Sequence, residues 1–552
     1  MHTISRRLVQ KISVPIFRTS THATKLISTQ NQHRYEDKDP ETKLFGKLLI
    51  GAASAGLLAT YFDEKKKVDC KVAQTSGTFK DGLPEYTIEE VSKHNTQESR
   101  IWVTYKEGVY DITDFVPGHP GGDQILMAAG SSVEPFWVLY GIHENQHVYD
   151  ILEKYRIGNL DKHDAQTFTQ NMEDPYSSDP KRHPVLKPAS VKPFNAEPPP
   201  SLLVENFITP KELFYVRNHL PVPNIDAEQY KLEIEIEGAK KTVSLSLDDL
   251  KKMPKKTITA TIMCAGNRRS EMVKVKTVKG LNWGPAAVAN ATWTGVPLRD
   301  VLKNAGLDQF DDKYKHVQFE AEDVDATGKN YGASIPIWKA IDERGDVLLA
   351  YEMNGAPLPR DHGYPVRVIV PGVVGARNVK WLAKIVISEH ESTSHWQQND
   401  YKGFSPCTDW EDADFTKSPA IQELPVTSAI CKPYDGDTID VVDGKILIKG
   451  YAWSGGGQKI VRVDVSADGG KTWHVANVDA QDSSEPPRHW SWTLWSANIP
   501  VDNKSKTVGF ADIMVKAVDS CYNTQPENFE HIWNIRGVLG NAYHKIKVNL
   551  KQ

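Results

Sequence analysis

The chain has 552 residues, which is too long for one hydrophobic core, so we expect several domains. Hydrophobic residues make up 39% and charged residues 25% of the composition, as in globular domains, which excludes a largely disordered protein. A net charge of -5 argues against general nucleic-acid binding, and the five scattered cysteines, without a C-x-x-C pair, argue against a zinc knuckle or a disulfide framework.

The N-terminus has the composition of a targeting segment. Its first 35 residues include six Lys or Arg, many Ser and Thr, and no acidic residue before Glu36, which is typical of a mitochondrial presequence. The apolar stretch Leu48–Phe62 follows, and it is shorter than the roughly 20 residues that span a bilayer. We therefore predict a presequence and apolar sorting segment over residues 1–78, delivery to the intermembrane space, and no stable membrane span in the mature form. A plain matrix presequence or a retained membrane anchor stays open.

Changes in composition and in hydrophobic patterning divide the remaining chain into four parts. Residues 79–161 form a compact, acidic segment, and residues 162–205 are a linker rich in Pro and Ser. Residues 206–420 mix alternating strand patterns with helical spacing, which predicts a mixed α/β domain. Residues 421–552 contain short alternating strands separated by Gly and Asp turns, which predicts a β-sandwich. The fold class is therefore multidomain α+β.

Histidines in the first domain suggest an iron site. His119 begins a His-Pro-Gly-Gly turn, in which Pro120 restricts φ and the glycines permit close approach to a flat ligand. His143 and His147 compete as the second ligand, beside a cluster of aromatic residues. Two imidazoles on opposite faces of an iron porphyrin leave no open position and suit electron transfer. Either histidine alone would be read as an ordinary surface residue.

With "VYDITDF" before the His-Pro-Gly-Gly turn, this segment resembles the cytochrome b5 family. The resemblance implies haem b with His119 and His143 as axial ligands, and Asn145 and His147 near the haem edge. The stretch Asp81–Leu160 contains 13 acidic and 5 basic residues, a local charge of -8. Such a surface would attract a basic redox partner.

A second candidate centre lies in "TIMCAGNRRSEM", where Cys264 precedes two arginines. Cys264 could be a nucleophile, a metal ligand or a buried thiol. Arg268 and Arg269 would favour a thiolate, which serves either of the first two roles. No recognisable signature of a catalytic base accompanies the cysteine. A lone thiolate suits a metal that brings its own sulfur ligands.

Residues 206–552 resemble the sulfite oxidase family of molybdenum enzymes. The motifs that carry the resemblance include "FYVRNHLPVP", "CAGNRRSEM", "YEMNGAPLPRDHGYPVRVIVPGVVGARNVKWL", "SHWQQNDYKGFSP" and "IWNIRGVLGNAYH". The resemblance implies that molybdenum is bound by a pterin dithiolene and by the Cys264 thiolate. It further implies a substrate pocket with Arg217, Arg269, Arg536 and Tyr401. Guanidinium groups pair bidentately with oxyanions such as sulfite.

Further residues match the positions that bind the molybdopterin in the family. They are Tyr215, Val216, Arg217, Asn218, His219, Cys264, Asp323, His362, Arg367, Asn378, Val379 and Lys380. His362, Arg367 and Lys380 would supply donors for the phosphate of the cofactor. Arg268 is read as an ordinary salt-bridge partner.

The two resemblances together imply oxidation of sulfite to sulfate at molybdenum, with water as the oxygen source. Electrons would pass through haem b to cytochrome c, with the linker letting the haem domain swing. The C-terminal β-sandwich is expected to be immunoglobulin-like and to form a homodimer. Two alternative functions are less favoured. An assimilatory nitrate reductase resembles a different domain order, with haem after molybdenum. A haem-binding electron carrier with a metal-free C-terminal scaffold would not need the pocket residues.

Overall fold

The computed structural model describes residues 76–143, 145–165, 174–238, 242–306, 312–325 and 327–551. The predicted presequence and sorting segment, except for residues 76–78, lies outside the described residues. Within these ranges, no helix combines the length and apolar character that crossing a bilayer requires.

The first folded region is a small sheet flanked by short helices. Its strands are β1 (Glu85–Tyr86), β2 (Asn95–Thr96), β3 (Arg100–Tyr105), β4 (Gly108–Asp111), β5 (Ser131–Ser132) and β6 (Arg156–Leu160), and its α-helices are α1 (Ile88–Ser92), α2 (Glu134–Leu139) and α3 (Gln146–Glu153). The sheet order is β1-β6-β4-β3-β2, with β5 beside β3. Alternate residues such as Val103 and Tyr110 fill its core. Short 3-10 turns lie at Val116–Gly118, Gly122–Ala128 and Gly141–His143, and Val116 and Ala128 belong to the same core.

Much of the predicted linker is ordered structure. Strands β7 (Lys187–Ser190) and β8 (Asn195–Glu197) pair with β9 (Val216–Arg217), and helix α4 (Pro200–Leu203) follows β8. Glu197 accepts hydrogen bonds from the backbone N–H groups of Gly284 (2.7 Å) and Ala286 (3.0 Å). These residues therefore extend the central domain, because their partners belong to it. Composition did not predict this, because the partners lie far away along the chain.

The central domain contains two further sheets and confirms the predicted mixture of helices and strands. Its remaining elements are β10 (Lys231–Ile236), β11 (Thr242–Ser246), α5 (Leu247–Lys252), β12 (Lys256–Met263), α6 (Arg269–Val275), β13 (Val288–Pro297), α7 (Leu298–Asn304), β14 (His316–Val324), β15 (Asn330–Pro336), α8 (Ile337–Ile341), β16 (Leu348–Met353), β17 (Ala356–Pro357), β18 (Arg367–Ile369), β19 (Leu382–Ser388) and α9 (His395–Gln398).

One central sheet has the order β11-β10-β19-β14-β15, and the other has the order β12-β13-β16-β17 with β18 beside β16. Ile234, Phe319 and Ile385 of the first sheet are buried in the largest apolar core of the described chain. Ala260 and Trp293 of the second sheet belong to a separate core that also contains Cys264. The end of β12 therefore delivers Cys264 to an apolar environment next to the loops.

The C-terminal region is a sandwich of two sheets. Its elements are β20 (Thr427–Lys432), β21 (Thr438–Asp440), β22 (Lys445–Trp453), β23 (Ile460–Ser466), β24 (His474–Val475), β25 (Asn477–Gln481), β26 (Thr493–Pro500), α10 (Asn503–Val508), β27 (Phe510–Asp519) and β28 (His544–Lys551). The sheet orders are β20-β22-β26-β25 and β21-β28-β27-β23-β24. Ile430 and Ile448 of the first sheet share one core with Val463, Ile513 and Val548 of the second.

Candidate functional site

Two imidazoles face each other in the N-terminal region. The ring centroids of His119 and His143 lie 6.3 Å apart, and the ring planes differ by 10°. Because a histidine nitrogen binds a metal ion at about 2 Å, an iron atom fits between the rings. Trp137 stacks on His143 with a centroid distance of 5.7 Å, and Phe115 approaches His119 edge-on at 5.9 Å. This geometry fits an axial pair for haem.

Hydrogen bonds fix the orientation of both rings. Nδ1 of His119 lies 3.0 Å from the carbonyl oxygen of Gly122, and Nδ1 of His143 lies 2.8 Å from that of Tyr140. A carbonyl only accepts, so each Nδ1 donates and each Nε2 is left with a free lone pair for a metal. Burial lowers the pKa of both histidines, which favours the neutral ligand form.

The alternative ligand His147 is exposed on helix α3. Asn145, also exposed, caps that helix, because its side chain accepts a hydrogen bond from the backbone N–H of Val148 (3.2 Å). The structure thus pairs His143, and not His147, with His119. Contact of Asn145 or His147 with the haem edge stays a prediction.

The second site is a cavity beside Cys264 with about 660 Å³ of empty space, including the part that is open to solvent. Most of the predicted pterin residues line it, namely Tyr215, Arg217, His219, Cys264, Asp323, His362, Arg367, Asn378, Val379 and Lys380, and so does Tyr401. Val216 instead pairs with Ala196 in the sheet, and the Asn218 side chain supports the cavity wall by bonding Asp361 (3.0 Å). One continuous cavity therefore unites motifs that are separated by up to 186 residues.

One end of the cavity contains three basic side chains. Burial lowers the pKa of Lys380 to about 7, that of Arg367 to about 10 and that of His362 to about 3. Arg367 donates to the carbonyl oxygens of His362 and Asn378 (both 2.9 Å), and its Nε has no partner among the described residues. A buried guanidinium with an unused donor, as in Arg367, is energetically costly. A bound phosphate would supply the missing charge and acceptors, so this end fits the cofactor.

Asp323 gives a second sign of an absent polar ligand. Its side chain is buried, and Oδ1 has no hydrogen-bond partner among the described residues. Burial raises the pKa of this carboxyl group to about 7. A pterin carries N–H groups that such an oxygen could accept from, so the donor and acceptor pattern of the cavity fits the molybdopterin.

Arg217, His219 and Tyr401 meet near Cys264. Nε2 of His219 lies 2.6 Å from the Tyr401 hydroxyl oxygen, and Arg217 donates to the same oxygen over 3.5 Å. Burial raises the pKa of Tyr401, so the phenol stays protonated and can donate a hydrogen bond. The sequence predicted Tyr401 for the substrate and His219 for the pterin, but it did not predict that the two would be hydrogen-bonded.

Arg269 lies in a slot formed by three glycines. A Cβ atom at Gly266 or Gly280 would come within 2.6–2.7 Å of side-chain atoms of Arg269, and one at Gly537 would lie 2.7 Å from Val278 and 2.8 Å from Arg269. The guanidinium donates to the carbonyl oxygens of Gly537 (2.9 Å) and Leu281 (2.8 Å). The glycines therefore leave the room that a buried guanidinium needs.

The three predicted pocket arginines differ in how their charge is compensated. Arg536 forms an ion pair with the carboxylate of Asp400. Burial opposes ionisation of Asp400, but Arg536 and His219 outweigh it and hold the pKa of this carboxyl well below its usual range. Among the described residues, Arg217 and Arg269 donate only to neutral groups. These two guanidiniums, which form no ion pair among the described residues, suit an anionic substrate.

Two neighbouring side chains have structural contacts. Arg268 pairs with Glu271 (2.7 and 2.8 Å) and donates to the carbonyl oxygens of Ser428 (3.2 Å) and Ala542 (2.6 Å) in the sandwich. Its reading as a salt-bridge partner agrees with these contacts. The Asn378 amide bonds only backbone groups of residues 370–374, so it braces its own loop.

Sequence reasoning missed two supports of the pocket. Asn195 accepts hydrogen bonds from Arg217 (3.2 Å) and from the backbone N–H of Asn218 (2.9 Å). Asp400 neutralises Arg536, and its position directly before Tyr401 was the one available signal. Asn195 gave no signal, because it lies in the predicted linker.

Comparison with known proteins agrees with these two sites. Three family models match: Cytochrome b5-like Heme/Steroid binding domain at residues 87–161, Oxidoreductase molybdopterin binding domain at 219–396, and Mo-co oxidoreductase dimerisation domain at 418–551. The chain is thus a molybdenum-dependent oxidoreductase with a molybdenum cofactor and haem b.

Comparison with individual proteins identifies the family within the molybdenum-dependent oxidoreductases. The chain is 59% identical over 470 residues to "Sulfite oxidase, mitochondrial" of Drosophila melanogaster, covering 85% of this chain and 81% of the relative. It is 52% identical over 494 residues to "Sulfite oxidase, mitochondrial" of Homo sapiens, covering 89% and 88%. The solved sulfane dehydrogenase SoxCD of Paracoccus pantotrophus is similar, with a TM-score of 0.53 and 25% identity over 70% of this chain and 92% of that chain. The chain belongs to the sulfite oxidase family, as the motifs predicted.

Proposed function

We propose that this protein oxidises sulfite to sulfate at Cys264-bound molybdenum and passes the electrons through haem b to cytochrome c. Sulfite oxidation itself follows from membership of the family, and the residue roles and the acceptor are our proposal. When bound, molybdenum supplies two-electron oxidation with water as the oxygen source, and haem b supplies one-electron transfer. The observation that carries the proposal is that Arg217 and Arg269 both lie within electrostatic reach of Cys264 and form no ion pair among the described residues.

Each pocket residue has a distinct task in this proposal. Arg217 and Arg269 attract and orient the sulfite anion, because their charges have no carboxylate partner among the described residues. Tyr401 donates a hydrogen bond to a substrate oxygen without adding charge, and His219 holds the Tyr401 hydroxyl. Arg536 lines an adjoining cavity together with Arg217, with its charge balanced by Asp400.

The remaining predicted residues hold the cofactors. Cys264 binds molybdenum, and Tyr215, Asp323, His362, Arg367, Val379 and Lys380 contact the pterin and its phosphate. Val216, Asn218 and Asn378 contribute through the backbone or by supporting other side chains. His119 and His143 bind the iron of haem b, and Asn145 and His147 lie toward its edge.

The surface charge supports a basic electron acceptor. The haem segment has a local charge of -8, which attracts a basic protein such as cytochrome c over long distances. The relatives are named as mitochondrial proteins, and we assign the protein to the mitochondrion and, within it, to the intermembrane space. The match to a dimerisation domain supports a homodimer formed through an immunoglobulin-like sandwich.

The proposed domain boundaries follow the sequence with one refinement. A presequence and sorting segment covers residues 1–78, a haem domain 79–161, a connecting segment 162–205, the molybdopterin domain 206–420 and the sandwich 421–552. Residues 178–205 of the connecting segment bond to the molybdopterin domain, so any swing of the haem domain has to originate before Ser178.

One experiment tests the function and its key residue. Purified wild type, Cys264→Ser and Cys431→Ser are mixed with sulfite and ferricytochrome c, and reduction is followed spectrally. Cys431 is the matched control, because it is a buried thiol in the sandwich. We expect Cys264→Ser to lose more than about 100-fold in rate, since even indirect supports of a metal site contribute 10- to 100-fold. Equal rates for wild type and Cys264→Ser would refute the role of Cys264, and an inactive wild type loaded with molybdenum would refute the function.

A further inference from the structure

The C-terminal sandwich contacts the loop that carries Cys264. Tyr451 extends from β22, and its hydroxyl accepts a hydrogen bond from the side-chain amide of Asn267 over 2.8 Å. The same hydroxyl donates to the carbonyl oxygen of Pro285 over 2.8 Å. Tyr451 is completely buried and Asn267 is 3% exposed, so water does not replace either bond. One hydroxyl group therefore links the cysteine loop to the segment that faces it.

The side-chain oxygen of Asn267 connects Tyr451 further to Cys264. Its oxygen accepts from the backbone N–H of Ala287 (3.0 Å), and the carbonyl oxygen of Ala287 accepts from the N–H of Cys264 (2.9 Å). The backbone N–H of Asn267 in turn donates to the carbonyl oxygen of Cys264 (3.0 Å). A chain of hydrogen bonds thus runs from the Tyr451 hydroxyl to the backbone N–H and carbonyl groups of Cys264.

Other contacts place the sandwich and the C-terminal segment on the same loop. The N–H of Leu539 donates to the carbonyl oxygen of Ala265 (2.9 Å), and Arg268 donates to Ser428 and Ala542 as described. Arg268 has a left-handed backbone conformation (φ 65°), which a non-glycine residue adopts only where its surroundings hold it. The loop geometry therefore depends on residues outside the molybdopterin domain.

We propose that Tyr451 is a positioning residue for the oxidation of sulfite: its hydroxyl holds Asn267 and thereby the Cys264 loop in its reactive place. This deepens the proposed function and rests on it. The sandwich then has a role within each subunit, in addition to any role between subunits. Loss of the hydroxyl leaves the Asn267 amide and the Pro285 carbonyl without their buried partner, so the loop has to shift to satisfy them.

Tyr451→Phe tests this with Tyr230→Phe as the matched control. Tyr230 is also a buried tyrosine, and its hydroxyl donates to the carbonyl oxygen of Leu382 (2.6 Å) in the central domain. Both variants lose one buried hydroxyl and are expected to unfold at slightly lower temperatures. Only Tyr451→Phe is expected to lower kcat/KM for sulfite, by about tenfold, because the Cys264 loop then leaves its reactive position; a tenfold loss matches the energy of about one hydrogen bond.

A second measurement does not depend on the cofactors. In cofactor-free protein, alkylation of Cys264 by N-ethylmaleimide is followed by peptide mass spectrometry, which separates it from the exposed Cys407 and Cys521. We expect faster alkylation in Tyr451→Phe than in wild type, and wild-type rates in Tyr230→Phe. If wild type does not oxidise sulfite, the proposed function fails, but the alkylation rates still decide the present inference.

A double-mutant cycle with Asn267→Ala ties the effect to the bond between the two residues. We expect the double variant to lose about as much kcat/KM as the larger of the two single variants, because each removes the same interaction. Equal kinetics and equal alkylation in Tyr451→Phe and Tyr230→Phe would overturn the proposal. Additive losses in the cycle would also overturn it, since they would show that Tyr451 does not act through Asn267.

Discussion

His119 and His143 face each other with nearly parallel rings, and each donates its Nδ1 proton to a carbonyl oxygen three residues away. Both free Nε2 atoms are therefore available to one iron atom. We expect His143→Ala to abolish the low-spin absorption spectrum of bound haem, because one axial ligand is lost. His147→Ala is the control and should keep the spectrum, since His147 is exposed. The opposite result would exchange the roles of the two residues.

The glycine slot around Arg269 allows its position to be tested without removing its charge. In Gly266→Ala, the new methyl group would lie 2.6 Å from an Arg269 nitrogen and displace the guanidinium. We expect the KM for sulfite to rise roughly tenfold, equivalent to about 1.4 kcal/mol. Gly403→Ala is the matched control, because its nearest neighbour is Leu539 at 3.5 Å. Steady-state kinetics measure both, and an unchanged KM in Gly266→Ala would contradict the role of Arg269.

A hydrogen bond joins the segment after the haem ligand to the segment before Tyr401. Nε2 of Gln124 lies 2.8 Å from Nε2 of His395. We expect Gln124→Ala to slow the reduction of haem by sulfite about three- to tenfold, because one bond between the domains is lost. Stopped-flow spectroscopy measures this rate. Oxidation of sulfite by ferricyanide acting directly on molybdenum should stay unchanged.

Gln97→Ala is the control for this variant, since Gln97 is an exposed glutamine in the turn between β2 and β3. It should leave both rates at the wild-type value. If Gln124→Ala lowers the ferricyanide and haem rates equally, Gln124 acts through general stability. Wild-type behaviour in both assays would show that this contact has no influence on electron transfer.

Asp323 should make the cofactor-free protein sensitive to pH. Its pKa is about 7 in the folded protein and about 4 in an unfolded chain, so the folded state retains a proton that the unfolded state releases. The stabilisation associated with this proton is complete below about pH 4 and is lost as the pH rises toward 7. Asp323→Asn lacks this loss, so its thermal midpoint relative to wild type should increase between pH 5 and pH 8. Differential scanning fluorimetry measures the difference.

Lys380 also has a pKa of about 7, lowered by burial and raised by the nearby Asp323 carboxylate, so Asp323→Asn changes the titration of both groups. The same comparison in a Lys380→Met background isolates Asp323. Parallel curves for wild type and Asp323→Asn would contradict the prediction. Phosphate added to both proteins provides a further control. Below about pH 5, where Asp323 is protonated, it should stabilise them equally, because the phosphate end of the cavity is formed by His362, Arg367 and Lys380.

Sequence motifs predicted those parts of the site that are formed by residues close together in the sequence. A histidine beside a Pro-Gly-Gly turn and a cysteine beside two arginines are recognisable because the neighbouring residues shape the site. The contacts of Arg268 and Tyr451 were not predictable, since each joins segments more than 150 residues apart. Composition also described residues 187–197 as linker, because the pairing of short strands with β9 leaves no local periodicity.

The pairing of β8 with β9 has a practical consequence for truncated proteins. Asn195 holds Arg217, and Glu197 holds the backbone before Ala287, so both belong to the molybdenum half despite lying nearer in sequence to the haem half. A haem-free fragment that starts at residue 206 would lack one wall of its own active site. A fragment that retains everything from Asp174 onward would carry that wall, and with it the Arg182–Asp361 ion pair behind Asn218.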